Sequence, residues 1–141
     1  MPLFACIQAW DVESARECAR AYAKTEFDGV AVGGLVPRVR DKSLVRSILS
    51  AVREEIPDKP IHVFGLGNPE SLRELYSIGI DSADSSSYVR KAAEGKLWAS
   101  ELTIKSPSPT ERLHLTLCNL ATACEQAIPL ASAPTLFQST R

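Results

Sequence analysis

Apolar positions along the chain fall into short runs, and each run is followed by a stretch of helical period. Leu3 to Gln8 reads as a short buried strand, after which Val12, Ala15, Ala19, Tyr22 and Ala23 recur on one helix face. The pattern returns with the run from Gly29 to Gly33. A helix from about Lys42 to Glu55 follows, with Leu44, Val45, Ile48, Leu49 and Val52 as its inner face, and Pro57 closes it. A third strand, Ile61 to Phe64, runs into Gly65-Leu66-Gly67-Asn68-Pro69. There Asn68 is placed to cap and Pro69 to open a helix reaching about Ser77. A fourth strand around Gly79 to Ala83 ends at Asp84, and Ser85 to Glu94 forms the next helix until Gly95 stops it.

Four strand–helix units with tight connections predict an α/β fold with a parallel sheet, because each strand returns through a right-handed crossover before the next pairs with it. The unit length suits a parallel (β/α) barrel of TIM type, but eight units need about 250 residues. Residues 1–98 therefore supply about half a barrel. Residues 99–109, with Ser106-Pro107-Ser108-Pro109, read as an extended linker. A C-terminal helix is expected over 110–128, capped by Thr110 and ended by Pro129. Its inner face is expected to carry Leu113, Leu117, Leu120, Ala121 and Cys124, and 129–141 reads as a mobile tail.

Composition narrows the function. With 45% hydrophobic residues the 141-residue chain can bury one sizeable core. A net charge of −1 removes the basic signature of proteins that hold nucleic acid by bulk electrostatics, so any such contact is local. No apolar run reaches the roughly 20 residues of a membrane span, and the stretch Met1 to Trp10 is unlike a signal peptide, so a cytoplasmic protein is expected. Cys6, Cys18, Cys118 and Cys124 lack the spacing of a zinc knuckle or redox pair and read as reduced thiols.

In a β/α barrel the chemistry lies just after each strand. Those positions are Gln8, then Gly33-Gly34-Leu35, then Gly65-Leu66-Gly67, then Asp84. Paired glycines either admit a planar heterocycle close to the backbone or merely make tight turns. No phosphate-loop motif is present. His62, between Ile61 and Val63, reads as a hydrogen-bonded core histidine, and His114 as structural or exposed. Arg38, Arg40, Lys42 and Arg46 form a basic group that either meets phosphates or is simply a solvated helix start.

Three segments carry a more specific signal: Phe27-Asp28-Gly29-Val30-Ala31-Val32-Gly33-Gly34-Leu35, His62-Val63-Phe64-Gly65-Leu66-Gly67-Asn68-Pro69-Glu70 and Gly79-Ile80-Asp81-Ser82-Ala83-Asp84. In order and spacing they resemble consecutive motifs of the tRNA-guanine transglycosylase family, in the second half of its barrel. The Ser85-Ser86-Ser87-Tyr88 continuation is more similar to the archaeal and DNA-modifying branches. The resemblance implies exchange of guanine for a 7-deazaguanine base in tRNA or DNA, with Asp84 as the nucleophile at C1′. It implies that Gln8, Gly33, Gly34 and Leu35 recognise the base, that Phe64 and Gly65 floor its pocket, and that Arg90 contacts the nucleic acid backbone. Read from the residues alone, Asp84 before Ser85 and a helix is an N-cap. The family's zinc site has no visible counterpart here, so no metal or other cofactor is expected. Nothing matches the acidic residues of the family's first barrel half, so the chain is expected to be a fragment or to pair with a copy of itself or with another chain.

Overall fold

The computed structural model describes residues 1–101 and 103–127. Four strands, β1 (Phe4–Gln8), β2 (Gly29–Gly33), β3 (Ile61–Val63) and β4 (Ser82–Ala83), alternate with helices α1 (Val12–Tyr22), α2 (Lys42–Glu55), α3 (Pro69–Ser77) and α4 (Ser87–Ala93). A 3-10 turn, Val36–Arg38, precedes α2, and α5 (Pro109–Ala127) follows α4. The helix starts are set locally. Asp11 and Ser14 cap α1 reciprocally, and Asn68 Oδ1 accepts the Ser71 N–H at 3.0 Å, with Pro69 opening α3.

The strands form one parallel sheet in the order β1-β2-β3-β4, so the α/β reading with four consecutive units holds. Strand alternation divides the side chains between two faces. Ile7, Val30, Val32, Ile61 and Val63 point into the helix layer and join Ala15, Ala19, Ile48, Leu49, Val52 and Leu75 in the core, and Ala5 is buried on the same face. The opposite face carries Phe4, Cys6, Gln8, His62 and Ser82, with Phe64 just past β3, and nothing among the described residues covers it. Phe4 and Phe64 remain 44% and 41% exposed. Strand β2 is buried throughout because the Phe4 ring and the Gln8 amide lie over Gly29 and Gly33. The outer edges of β1 and β4 pair with no strand among the described residues. No described helix is long and apolar enough to cross a membrane.

Three local expectations change. His62 is hydrogen-bonded, Nδ1 to Ser82 Oγ at 2.9 Å, but it is half-buried on the uncovered face, because alternation turns it away from Ile61 and Val63. The packed face of α5 is Leu115, Asn119 and Ala123, set against α3 and α4, whereas Leu113 and Leu117 are 60% and 56% exposed and Ala121 and Cys124 are exposed too. Both stripes have helical spacing. The choice falls to Asn119, whose buried amide accepts from Trp98 N–H at 2.8 Å and donates to Tyr88 O and Lys96 O. Finally, α5 is capped by Ser108 rather than Thr110: Ser108 Oγ accepts the Glu111 N–H at 3.3 Å while the Glu111 carboxylate takes the Ser108 N–H at 2.8 Å. The expected stop at Pro129 and the tail lie outside the described residues.

Candidate active site at the strand ends

A parallel sheet puts all its strand ends on one rim, and here the register carries the residues after each strand to the same level. Gln8 stands opposite Gly33, Phe64 N–H donates to Val32 O at 2.9 Å, and Asp84 N–H donates to Val63 O at 3.2 Å. Gln8, Gly33, Gly34, Phe64, Gly65 and Asp84 thus line one end of the sheet.

Asp84 is exposed, and its carboxylate has a definite partner: Gly65 N–H donates to Oδ1 at 2.6 Å. Such a bond orients the carboxylate without removing its charge. The capping role suggested by local sequence does not occur. Helix α4 begins at Ser87, its N-cap is Ser86, and no side chain caps it. The turn is instead tied by Ser85 Oγ, which accepts the Ser87 N–H at 3.0 Å. Asp84 also opens onto a cleft of about 320 Å³ between α3, α4 and α5, with Tyr76, Tyr88 and Leu120 among its walls.

The glycines are used to place these two polar side chains. Over Gly33 there is no open floor, since a Cβ there would lie 2.5 Å from Gln8 Nε2; the amide itself occupies the space left by the missing methyl. Gly67 has the same relation to the catalytic candidate: a Cβ would meet Ser85 Cβ at 2.6 Å and the Asp84 backbone at 3.2 Å. Gly65, with φ of +80°, is in the left-handed region, and that conformation presents its N–H to Asp84. Phe64 is half-exposed beside them, its ring edge-on to His62 with centroids 4.9 Å apart.

Leu35 and Arg90 stand apart from this group. The Leu35 side chain is fully buried in the core, so anything it offers a ligand comes from its backbone. Arg90 is exposed on α4, in the wall of a separate groove. Of the basic group after β2, Arg38 spends its guanidinium on backbone carbonyls, donating to Gly34 O at 2.7 Å and Trp10 O at 2.9 Å, and Lys42 pairs with Glu70. Arg38 therefore braces the Gly34 loop. Sequence reading left it between a phosphate contact and a solvated helix start, because a charge count does not reveal which carbonyls lie within reach. Asp81 is also committed, to a structural role: Oδ2 accepts from Ile61 N–H at 2.8 Å and from Arg53 at 2.7 Å.

On α5, Cys118 Sγ and His114 Nε2 are 3.7 Å apart, and among the described residues no group of three or more His, Cys, Asp or Glu side chains gathers at one point. The pair does not fit a four-ligand zinc site.

Comparison with known proteins gives a consistent relationship. A family model described as Queuine tRNA-ribosyltransferase matches residues 1–125. The protein named Queuine tRNA-ribosyltransferase from Blochmanniella pennsylvanica is 40% identical over 105 residues, covering 73% of this chain and 28% of that protein. Proteins of the same name from Shewanella sp. (strain ANA-3) and Shewanella frigidimarina are 40% and 39% identical over the same shares of each chain. The chain thus spans 28% of the length of these curated relatives.

Proposed function

Because the chain belongs to the queuine tRNA-ribosyltransferase family, we propose that it carries the nucleophile half of a base-exchange site acting on tRNA or DNA. The observation that supports this most is the Asp84 carboxylate, exposed at the strand ends and held by Gly65 N–H at 2.6 Å rather than used as a helix cap. In this reading Asp84 attacks C1′ of a target guanosine, the C1′–N9 bond breaks with its electron pair going to guanine, and a ribosyl ester remains on Asp84. A 7-deazaguanine base then attacks C1′ through its ring nitrogen, whose proton passes to water or to a group outside this chain, and the C1′–O bond breaks as Asp84 departs as carboxylate. The proton needed by the leaving guanine is not assigned to Asp81, which is bound to Ile61 and Arg53. It comes from water or from units outside this chain.

Gln8, with the Gly34 and Leu35 backbone, reads the edge of the planar base, and Phe64 and Gly65 lie beneath it. The uncovered sheet face and the two open edges are completed, in this proposal, by further β/α units. These come from additional polypeptide or from a second chain.

The test uses Asp84→Asn. The amide retains an oxygen for the Gly65 N–H, so the local fold is expected to survive, while the charge needed to attack C1′ is lost. Wild-type protein, together with whatever completes its sheet, is mixed with labelled guanine and tRNA or DNA. Base exchange and a denaturation-resistant protein–nucleic acid adduct are expected with wild type, and a loss of at least about 1000-fold with Asp84→Asn. An Asp84→Asn protein that exchanges at the wild-type rate refutes the nucleophile. A completed wild type that neither exchanges nor forms an adduct points instead to a non-catalytic half-barrel that scaffolds a partner.

A further inference from the structure

Two rows of side chains cross the uncovered sheet face near its strand ends, and the parallel register sets both. The upper row runs Gln8, Gly33, Phe64 and Asp84, and the row beneath it runs Cys6, Ala31, His62 and Ser82. Base exchange as proposed above uses the upper row. The lower row has no part in it so far, yet His62 makes one polar contact and one ring contact there that join the strands leading to Phe64 and Asp84.

His62 is half-buried, and its Nδ1 is hydrogen-bonded to Ser82 Oγ at 2.9 Å, across to β4. That bond distinguishes the two edges of the imidazole and fixes its rotation about χ2, a torsion that otherwise settles in either of two orientations. Two residues further along, the Phe64 ring stands edge-on to the imidazole, with centroids 4.9 Å apart and planes at 76°. The Phe64 backbone is held by its N–H bond to Val32 O at 2.9 Å, so only the torsions of the side chain remain to be set. The ring is 41% exposed, and His62 is its one aromatic neighbour among the described residues. An edge-to-face pair favours its own arrangement by roughly two- to tenfold.

We propose that His62 is a positioning residue for the exchange, acting through Phe64. Ser82 orients the imidazole, the imidazole selects one setting of the Phe64 ring, and that ring lies against the planar base. The same two strands align the nucleophile, since Gly65, next after Phe64, donates to Asp84 Oδ1 at 2.6 Å, and Asp84 follows Ser82 by two residues. Base plane and carboxylate are thus referred to one frame. That matters because a reacting atom displaced by about 1 Å loses on the order of 100-fold in rate. The role rests on the base-exchange reading, whereas the clamp of His62 on Phe64 is measurable without turnover.

The clamp is tested by NMR of the full chain carrying ring-labelled phenylalanine, with the Phe64 signal identified by its loss in Phe64→Leu. Ser82→Ala is the gentle variant, because Ser82 is exposed and its removal leaves the imidazole in place; His62→Leu removes the ring itself. Both are expected to move the Phe64 ring shifts toward a rotationally averaged value, His62→Leu the further. The positioning role is tested on wild type and variants together with whatever completes the sheet, brought to the covalent adduct at saturating tRNA or DNA, stripped of free guanine and then offered labelled guanine. His62→Leu and Phe64→Leu are each expected to raise the guanine concentration for half-maximal release of the adduct about tenfold, with adduct yield retained. In the double variant these losses should not add, because both act through one ring. A purely structural role would instead lower adduct yield and melting temperature together. Phe64 shifts unchanged in both His62→Leu and Ser82→Ala, or additive losses in the double variant, overturn the proposal. Displaced Phe64 shifts with no adduct in wild type remove the exchange reading and leave the clamp standing; exchange by wild type with unmoved Phe64 shifts does the reverse.

Discussion

The contact between Asp84 and the Gly65 N–H depends on atoms that are missing. Gly67 lets the Asp84-Ser85 backbone approach to a distance that a methyl group would occupy, with 2.6 Å to Ser85 Cβ and 3.2 Å to the Asp84 backbone. Relief at the first contact is a side-chain shift, but at the second it moves the backbone that aims the carboxylate. Gly67→Ala is therefore expected to reduce adduct formation by about 100-fold, since misplacement of a reacting group by about 1 Å has that order of effect. Thermal melting should fall by only a few degrees. Single-turnover adduct assays beside calorimetry check this, and equal losses in both would show that Gly67 acts through stability alone.

At the scale of elements, α5 and the α1–α2 contact make separable predictions. Leu115 is fully packed and Leu117 is exposed, so Leu115→Ala should cost about 2 to 5 kcal/mol in urea denaturation and Leu117→Ala less than about 0.5 kcal/mol. The reverse order would restore the face expected from sequence periodicity. Between α1 and α2, Arg20 and Arg16 hydrogen-bond to Glu55 and hold its carboxyl below the usual 4.5. A depressed folded value makes this contribution complete above about pH 4.5 and lost as pH falls through the lower folded value. The melting temperature should drop on acidification below 4.5, and Glu55→Gln should flatten that drop. The flattening is partial, because Asp11, Asp41, Glu70, Glu94 and Glu111 are lowered too. A melting temperature that responds to acid identically in Glu55→Gln would show that this pair is inert.

For the whole molecule, the uncovered sheet face governs behaviour. Phe4, Cys6 and Phe64 on one side of a sheet with two unpaired edges favour association over a stable solitary state. Sedimentation equilibrium of the 15.3 kDa chain at micromolar concentration should give a mass above the monomer, and Phe4→Lys should lower it by placing charge on that face. A wild-type monomer unaffected by Phe4→Lys would argue against completion through this surface.

Local spacing was enough to read the four β/α units, the Asn68 cap of α3 and the parallel sheet, because helix periods and caps act over a few residues and a crossover through one helix makes the next strand parallel. It also brought Gln8, the glycines and Asp84 to notice, since strand ends are legible wherever strands are. What Asp84 bonds to, which stripe of α5 is buried, that Arg38 reaches across to Trp10, and what His62 bonds to on the uncovered face were decided by tertiary structure. Each depends on a partner distant in sequence: Gly65 for Asp84, Trp98 for Asn119, Trp10 for Arg38 and Ser82 for His62. Two helix stripes of equal period, or a carboxylate with two possible N–H donors, are degenerate in sequence, and only packing removes the degeneracy.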